Sequence, residues 1–294
     1  MIKSSHWFDK LWDRMHRLLL EELIIHADET PLRVLNRDGK PVDSKSTMWV
    51  FCSGKYSEHK MSLYFHHATK SGQVVKDILG DYSGYLQTDG NSSYNFAVKA
   101  VRIGCWAHAR RKFTDCLSKG VKSEDTRAEK ALALIGEIFA ADEGLKELTE
   151  DQRAEKRPEI LKPLLDEYWK YIENIYAAGG SNLSKAVTYS LNHKTQLNNV
   201  LLNEKLELTN NRAERAVKPF VIGRKNWLFS DTDKGADASA RCYSIIESAN
   251  LNGLNIFGYL SYLLTELPKL GNEPTDEQLD NLLPWSDTLP DYCK

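Results

Sequence analysis

Short runs of β-branched, aromatic and aliphatic residues, bounded by turn formers, occupy residues 23–27, 47–52, 60–66, 85–88 and 101–105. None recurs between about Lys112 and Glu204, where the apolar spacing is wholly helical. This single change of period constrains the fold most, because strand-type segments must form a sheet before a strand-free block begins. The turn Arg37-Asp38-Gly39-Lys40 and the break Ser53-Gly54-Lys55 separate the first three runs, as an antiparallel meander requires. Val74, Val75, Ile78 and Leu79 fall at helical spacing, with Gly80 as the stop. The expected order is β-β-β-α-β, a short helix from Ser92, and a fifth strand.

Within the helical block, Leu161, Leu164, Leu165, Tyr168, Ile172 and Ile175 form one stripe that Gly179-Gly180 should end. Thr149 and Gln152 have the spacing of a capping box. Pro158 and Pro163 are expected to break or kink the helix downstream of that box, so no single long helix is drawn there. Leu183, Val187, Leu191, Leu197 and Leu201 make a second stripe, and the block reads as an insertion or subdomain. After Leu208, Ile245, Ile246 and Ala249 lead to a stop at Asn252-Gly253, and Ile256, Leu260, Leu263 and Leu267 form another stripe. The remainder, with Pro274, Pro284 and Pro290, is expected to be an irregular acidic tail.

The 294 residues can bury a full core, and 41% apolar with 27% charged content is that of a globular chain. No stretch approaches a membrane span: Leu18-Leu19-Leu20 stops at Glu21-Glu22. No signal peptide is evident either, so a cytoplasmic location without membrane partners is expected. Five scattered cysteines do not make a disulfide framework. The net charge of -2 hides local fields. Seven Lys or Arg face one acid, Asp115, between Lys99 and Lys122; five face Glu214 between Asn210 and Trp227; six acids follow Leu270.

Three carboxylates stand out by context. Asp28 follows Leu23-Ile24-Ile25, and Asp89 ends Gly84-Tyr85-Leu86-Gln87-Thr88. A carboxylate at the end of a buried strand needs a cation or several hydrogen-bond donors, although a turn or helix cap would also satisfy it. Glu214, if helical, shares a face with Asn211 and Lys218, and could instead form a surface pair with Lys218. Together, two strand-end acids and one helical acid can offer oxygen ligands to Mg²⁺. Two such ions about 4 Å apart can activate an attacking hydroxyl and stabilise the leaving oxygen.

His26-Ala27-Asp28-Glu29-Thr30-Pro31, then Gln87-Thr88-Asp89-Gly90 with Tyr94, resemble the first two catalytic segments of the insertion-sequence 66 family of bacterial transposases. Cys105-Trp106-Ala107-His108-Ala109-Arg110-Arg111-Lys112-Phe113 is similar to the next. Asn211-Arg212-Ala213-Glu214-Arg215 with Lys218-Pro219 and Gly223-Arg224-Lys225-Asn226-Trp227 resembles the Glu segment. Ile246-Glu247-Ser248-Ala249, Asn252-Gly253 and Leu283-Pro284-Trp285 resemble the C-terminal region.

The resemblance implies a DDE-type transposase of α/β class. Its RNase H-like core would be a mixed five-stranded sheet with flanking helices, an all-helical insertion and a helical C-terminal region. On this reading residues 1–22 are a helical lead-in, 23–113 the first part of the core and 114–205 the insertion. Residues 206–235 carry the Glu-bearing helix, and 236–294 are the C-terminal helical region and tail. Asp28, Asp89 and Glu214 match the catalytic acids and would hold two Mg²⁺ ions, with Mn²⁺ able to substitute. Family members carry a long N-terminal part with a zinc-binding module that contacts DNA. About 20 residues precede the first motif here, so a truncated reading frame or fragment of low autonomous activity is expected.

Expected partners are DNA, as insertion-sequence ends and target, a second copy as a homodimer on DNA, and full-length transposase or accessory transposition proteins. Arg110, Arg111, Lys112, Arg212, Arg215, Lys218, Arg224 and Lys225 are candidate phosphate contacts, or simply solvated helical faces. Trp227 could stack on a base but reads better as core. Cys105-x-x-His108 lacks a second ligand pair at zinc spacing, and the adjacent His66 and His67 point to opposite strand faces. No phosphate loop or H-E-x-x-H motif occurs. The alternatives to a transposase are a nuclease of the same fold that cuts without joining, or a non-catalytic DNA-binding remnant that regulates transposition.

Overall fold

The computed structural model describes residues 2–36, 45–117 and 126–294. Its strands are β1 (Ile24–Asn36), β2 (Lys45–Ser53), β3 (Ser62–His67), β4 (Tyr85–Gln87), β5 (Val101–Ile103) and β6 (Ser230–Thr232). The first helices are α1 (Ile2–Ser5), α2 (Asp9–Glu21), α3 (Gly72–Leu79), α4 (Trp106–Thr114), α5 (Thr126–Gly144) and α6 (Glu150–Glu173). Then come α7 (Asn182–Asn192), α8 (Lys194–Asn198), α9 (Asn211–Trp227), α10 (Asp233–Leu251), α11 (Ile256–Glu266) and α12 (Asp276–Asp280). The expected turn at 37–40, and Lys119 and Lys122 of the basic run, lie outside the described residues. Among the described residues no helix is long and apolar enough to cross a membrane. Two compact units emerge: Met1–Leu86 with Ser92–Val101 and Asn211–Lys294, and Gln87–Asn91 with Arg102–Asn210.

In the first unit β1, β2 and β3 form the antiparallel meander, with Ala27 opposite Phe51 and Val50 opposite Tyr64. The sheet order is β3-β2-β1-β4-β5, and β6 adds to β1 in parallel at Val34 and Asn36. Among the described residues the sheet therefore has six strands rather than five. Ser230-Asp231-Thr232 contains no apolar residue, so nothing in its composition announced a strand. β1 is also longer than residues 23–27, so Asp28 stands inside the strand and not at its end.

Alternation gives β1 two buried faces. Ile25 and Ala27 join Trp49, Phe51, Leu63 and Phe65 under α2, with Val75 and Leu79 of α3. Leu32 and Val34 join Met48, Val50 and Tyr64 beneath Val217 and Phe220 of α9 and Ala236 and Ala240 of α10. The C-terminal segment is not an irregular tail. Leu279, Leu282, Leu283, Leu289 and Cys293 are buried in the first of these cores. Arg14 of α2 forks onto both oxygens of Asp280 at 2.7 and 2.9 Å. These apolar residues follow no single period, which hides their burial from a sequence reading.

In the second unit Trp106, Tyr168 and Trp169 pack ring to ring at 4.8 to 5.9 Å. The Thr149–Gln152 capping box starts α6, which then runs unbroken through Pro158 and Pro163. Each proline removes one N–H, and the carbonyls left over are those of Ala154 and Glu159, whose residues are exposed to water. Both positions lie on the exposed side of the helix, and the expected break does not occur. The helix instead stops at Asn174, ahead of the two glycines. Arg157, fully buried, donates to Asp142 at 2.7 Å and to the Val200 and Asn203 carbonyls.

Candidate metal and DNA site

Asp28 pairs across the sheet with Val50 and shares its face of β1 with Leu32 and Val34. It is half-buried, and its Oδ1 accepts the Glu29 N–H at 2.8 Å. α9 runs along this same face. Its first turns border Cys52, the partner of His26; its middle covers Val50 and Leu32; and it leads into β6, the partner of Val34. Glu214 lies in the first turn of α9, three residues before Val217 and on the same side of the helix. Asp28 and Glu214 therefore belong to the same face of the sheet, the one that α9 covers. An acid in that turn is also favoured by the helix dipole.

Asp89 belongs to the second unit, two residues beyond β4. Its Oδ1 accepts the Asn91 N–H at 2.8 Å, and its carbonyl accepts from Arg102 at 3.1 Å. Arg102 also donates to Thr88 Oγ1 at 2.6 Å. Behind the turn, the His193 ring stacks on Tyr189 at 4.3 Å. A Cβ on Gly90 would come within 2.8 Å of both rings, so the helical block forms the backing of the Asp89 turn. Sequence reasoning missed this role of Tyr189 and His193; the only trace of it was a glycine directly after Asp89.

Tyr94, noted only as part of the second motif, proves to be a tether. Its hydroxyl donates to Glu29, whose other oxygen receives Lys70, and its ring meets Trp49 edge-on at 5.7 Å. Glu29 is 6% exposed at its side chain. On β1 it points to the face opposite Asp28.

The cationic candidates divide by exposure. Arg110, Arg111 and Lys112 are exposed on α4, and Lys112 Nζ sits 5.8 Å over the Tyr189 ring. Arg215, Lys218 and Lys225 are exposed on α9. Arg212 and Arg224 are half-buried, and Arg224 donates to Thr30 Oγ1 at 3.2 Å and to the Pro31 carbonyl. Trp227 packs edge-on against Phe220 at 5.2 Å, as a core residue does. Cys105 precedes α4, and its buried Sγ accepts the Asn210 N–H at 3.2 Å. His66 meets Asp237 at 2.9 Å on α10, whereas His67 is exposed.

Two family models match the sequence: one described as Transposase IS66 family over residues 1–238, the other as IS66 C-terminal element over residues 244–285. An uncharacterised protein of Sinorhizobium fredii, y4qI, is 28% identical over 281 residues, covering 89% of this chain and 50% of that protein. A second from the same organism, y4jD, is 25% identical over 299 residues, covering 97% and 57%. The chain spans about half the length of the curated relatives it matches. No solved structure matches it.

Proposed function

The chain belongs to the IS66 transposase family, and on that premise we propose that it is the catalytic region of a DDE-type DNA transposase. Its core is RNase H-like, and Asp28, Asp89 and Glu214 are its metal-binding acids. The observation that carries this reading is the placement of Asp28 on the sheet face covered by α9, whose first turn bears Glu214. The order β3-β2-β1-β4-β5, with the Asp28 strand in the centre, supports the fold assignment. The donors are carboxylate oxygens, a set that suits Mg²⁺ or Mn²⁺ better than a thiol-seeking ion. When bound, a pair of such ions supplies the positive charge that a reacting phosphodiester needs.

The protein's own contribution is placement. β1 fixes Asp28, the first turn of α9 fixes Glu214, and the Arg102, Tyr189 and His193 backing fixes the turn of Asp89. Exposed cations on α4 and α9 attract the DNA backbone. The substrates are insertion-sequence ends and target DNA, and two copies pair two ends as a homodimer on DNA.

Incubating the chain with labelled insertion-sequence ends and Mg²⁺ tests the reading. Strand cleavage followed by joining through the freed 3′-hydroxyl is expected, and Asp28→Asn or Glu214→Gln should abolish both. Cleavage without joining would make the chain a nuclease. DNA binding with neither reaction would make it a regulator of longer transposases.

A further inference from the structure

A cavity of about 200 Å³ opens in the first unit beside the first two turns of α9. Lys60 and Ser62 form one wall, Arg212 and Arg215 a second, and Glu247 and Leu251 of α10 a third. The third wall is bolted to the first. Ser248 Oγ accepts the Ser62 N–H at 3.0 Å, and the Asn252 side chain donates to the Lys60 carbonyl at 2.8 Å. The polar residues of the Ile246-Glu247-Ser248-Ala249 and Asn252 motif thus have distinct tasks. Ser248 and Asn252 build the wall, and Glu247 faces the space it encloses.

Among the described residues no ion pair engages Lys60, Arg215 or Glu247. Burial pushes the Glu247 carboxyl above its ordinary range, against the opposing effect of its hydrogen bond with the Asn250 side chain. Three cations on two walls suit a phosphate, and an acid beside an apolar leucine suits an amino-bearing ring. Arg212 and Arg215 flank Glu214 in the sequence, so the cavity lies beside the first turn of α9, which carries that proposed ligand.

We infer that this cavity is a nucleotide subsite. Arg212, Arg215 and Lys60 hold a backbone phosphate, Leu251 covers one face of an unstacked base, and Glu247 accepts a hydrogen bond from the base's exocyclic amino group. The inference rests on the proposed DNA-processing role. It adds a preference that role does not require: cytosine, with its amino group, over thymine, with a carbonyl in that place.

Fluorescence anisotropy with labelled oligo-dC and oligo-dT of equal length, in EDTA, tests it on the full chain. Oligo-dC should bind about fivefold more tightly, the low end for one base-edge contact. Glu247→Gln can both accept and donate there, so it should bind the two alike while melting as the wild type does. Lys60→Ala with Arg215→Ala should weaken both and shallow the salt slope by about 0.7. Asp28→Asn should keep the preference, which separates this subsite from the metal chemistry. If that variant retains the preference while wild-type cleavage is absent, the catalytic reading fails and the subsite stands. Equal affinity of the wild type for the two oligonucleotides, no binding to either, or a preference that survives Glu247→Gln would overturn the subsite.

Discussion

The Tyr94 hydroxyl donates to Glu29 Oε2 at 2.5 Å, while Lys70 Nζ lies 2.5 Å from the other Glu29 oxygen. Glu29 directly follows Asp28, and Tyr94 lies in the 3-10 turn Ser92–Phe96, shortly after Asp89 in the chain. One hydrogen bond therefore ties the Asp28 strand to the turn downstream of the second acid. Tyr94→Phe keeps the ring against Trp49 but leaves a buried carboxylate one donor short. Such a loss costs about 1 to 3 kcal/mol. Urea denaturation should show this, and the Mn²⁺-induced rise in melting temperature should shrink with it. A variant as stable and as metal-responsive as the wild type would show that the tether does not position Asp28.

His16 gives a pH-dependent term. Burial lowers its pKa, only partly offset by the bond it donates to the Ile78 carbonyl at 2.8 Å, and its ring meets Phe65 edge-on at 5.0 Å. The unfolded chain, with histidine near about 6.5, then binds the proton more readily than the folded one. The contribution of His16 is thus present above that value and is lost as pH falls from it toward the lower folded pKa. His16→Gln should be less stable than the wild type at about pH 8, and the deficit should narrow by about pH 5.5. A deficit independent of pH would place the role of His16 in packing alone.

Neighbouring cations on α9 should separate into two kinds. Lys225 is exposed, whereas Arg224 is tied to Thr30 and Pro31 of β1. Lys225→Ala should leave the melting temperature unchanged, weaken DNA binding and shallow the salt slope by about 1. Arg224→Ala should lower stability by about 1 kcal/mol. The reverse pattern would mean that Arg224 leaves β1 to meet DNA.

Local period and breakers carried the meander, α3 with its Gly80 stop, the Thr149 capping box and the helical nature of α9, because each is written in adjacent residues. What was not legible depends on residues far apart in the chain. β6 has no apolar residue and exists only because β1 offers it an edge. The C-terminal leucines are buried because a partner surface on α2 and the sheet awaits them. α6 continues through two prolines, and the residues whose carbonyls lose a partner, Ala154 and Glu159, are exposed. At the candidate site, Asp28, Asp89 and Glu214 were each visible as acids in context. Their supports, Tyr94 with Glu29 and Tyr189 with His193, were not, since tethering leaves no local pattern.

Asp89 offers the sharpest test of the chemistry, because a matched control lies eight residues away. In Asp89→Asn the amide oxygen can still accept the Asn91 N–H, so the turn and its packing against His193 should persist. What disappears is a negative charge at the proposed metal site. If Mg²⁺ or Mn²⁺ binds the native wild type at a hundredfold above its dissociation constant, it stabilises the fold by about 2.7 kcal/mol. That increment should be lost in Asp89→Asn, together with any metal-dependent nicking, while stability in EDTA is unchanged. Asp81 is the same residue type in the same region, fully exposed and paired with Lys99 at 2.7 Å, which holds its carboxyl below the ordinary range. Asp81→Asn gives up only a screened surface pair, so metal response and nicking should match the wild type. Equal metal response in Asp89→Asn and wild type would remove Asp89 from the triad. Equal loss in Asp81→Asn, without unfolding, would show that the metal responds to general surface charge and not to a built site.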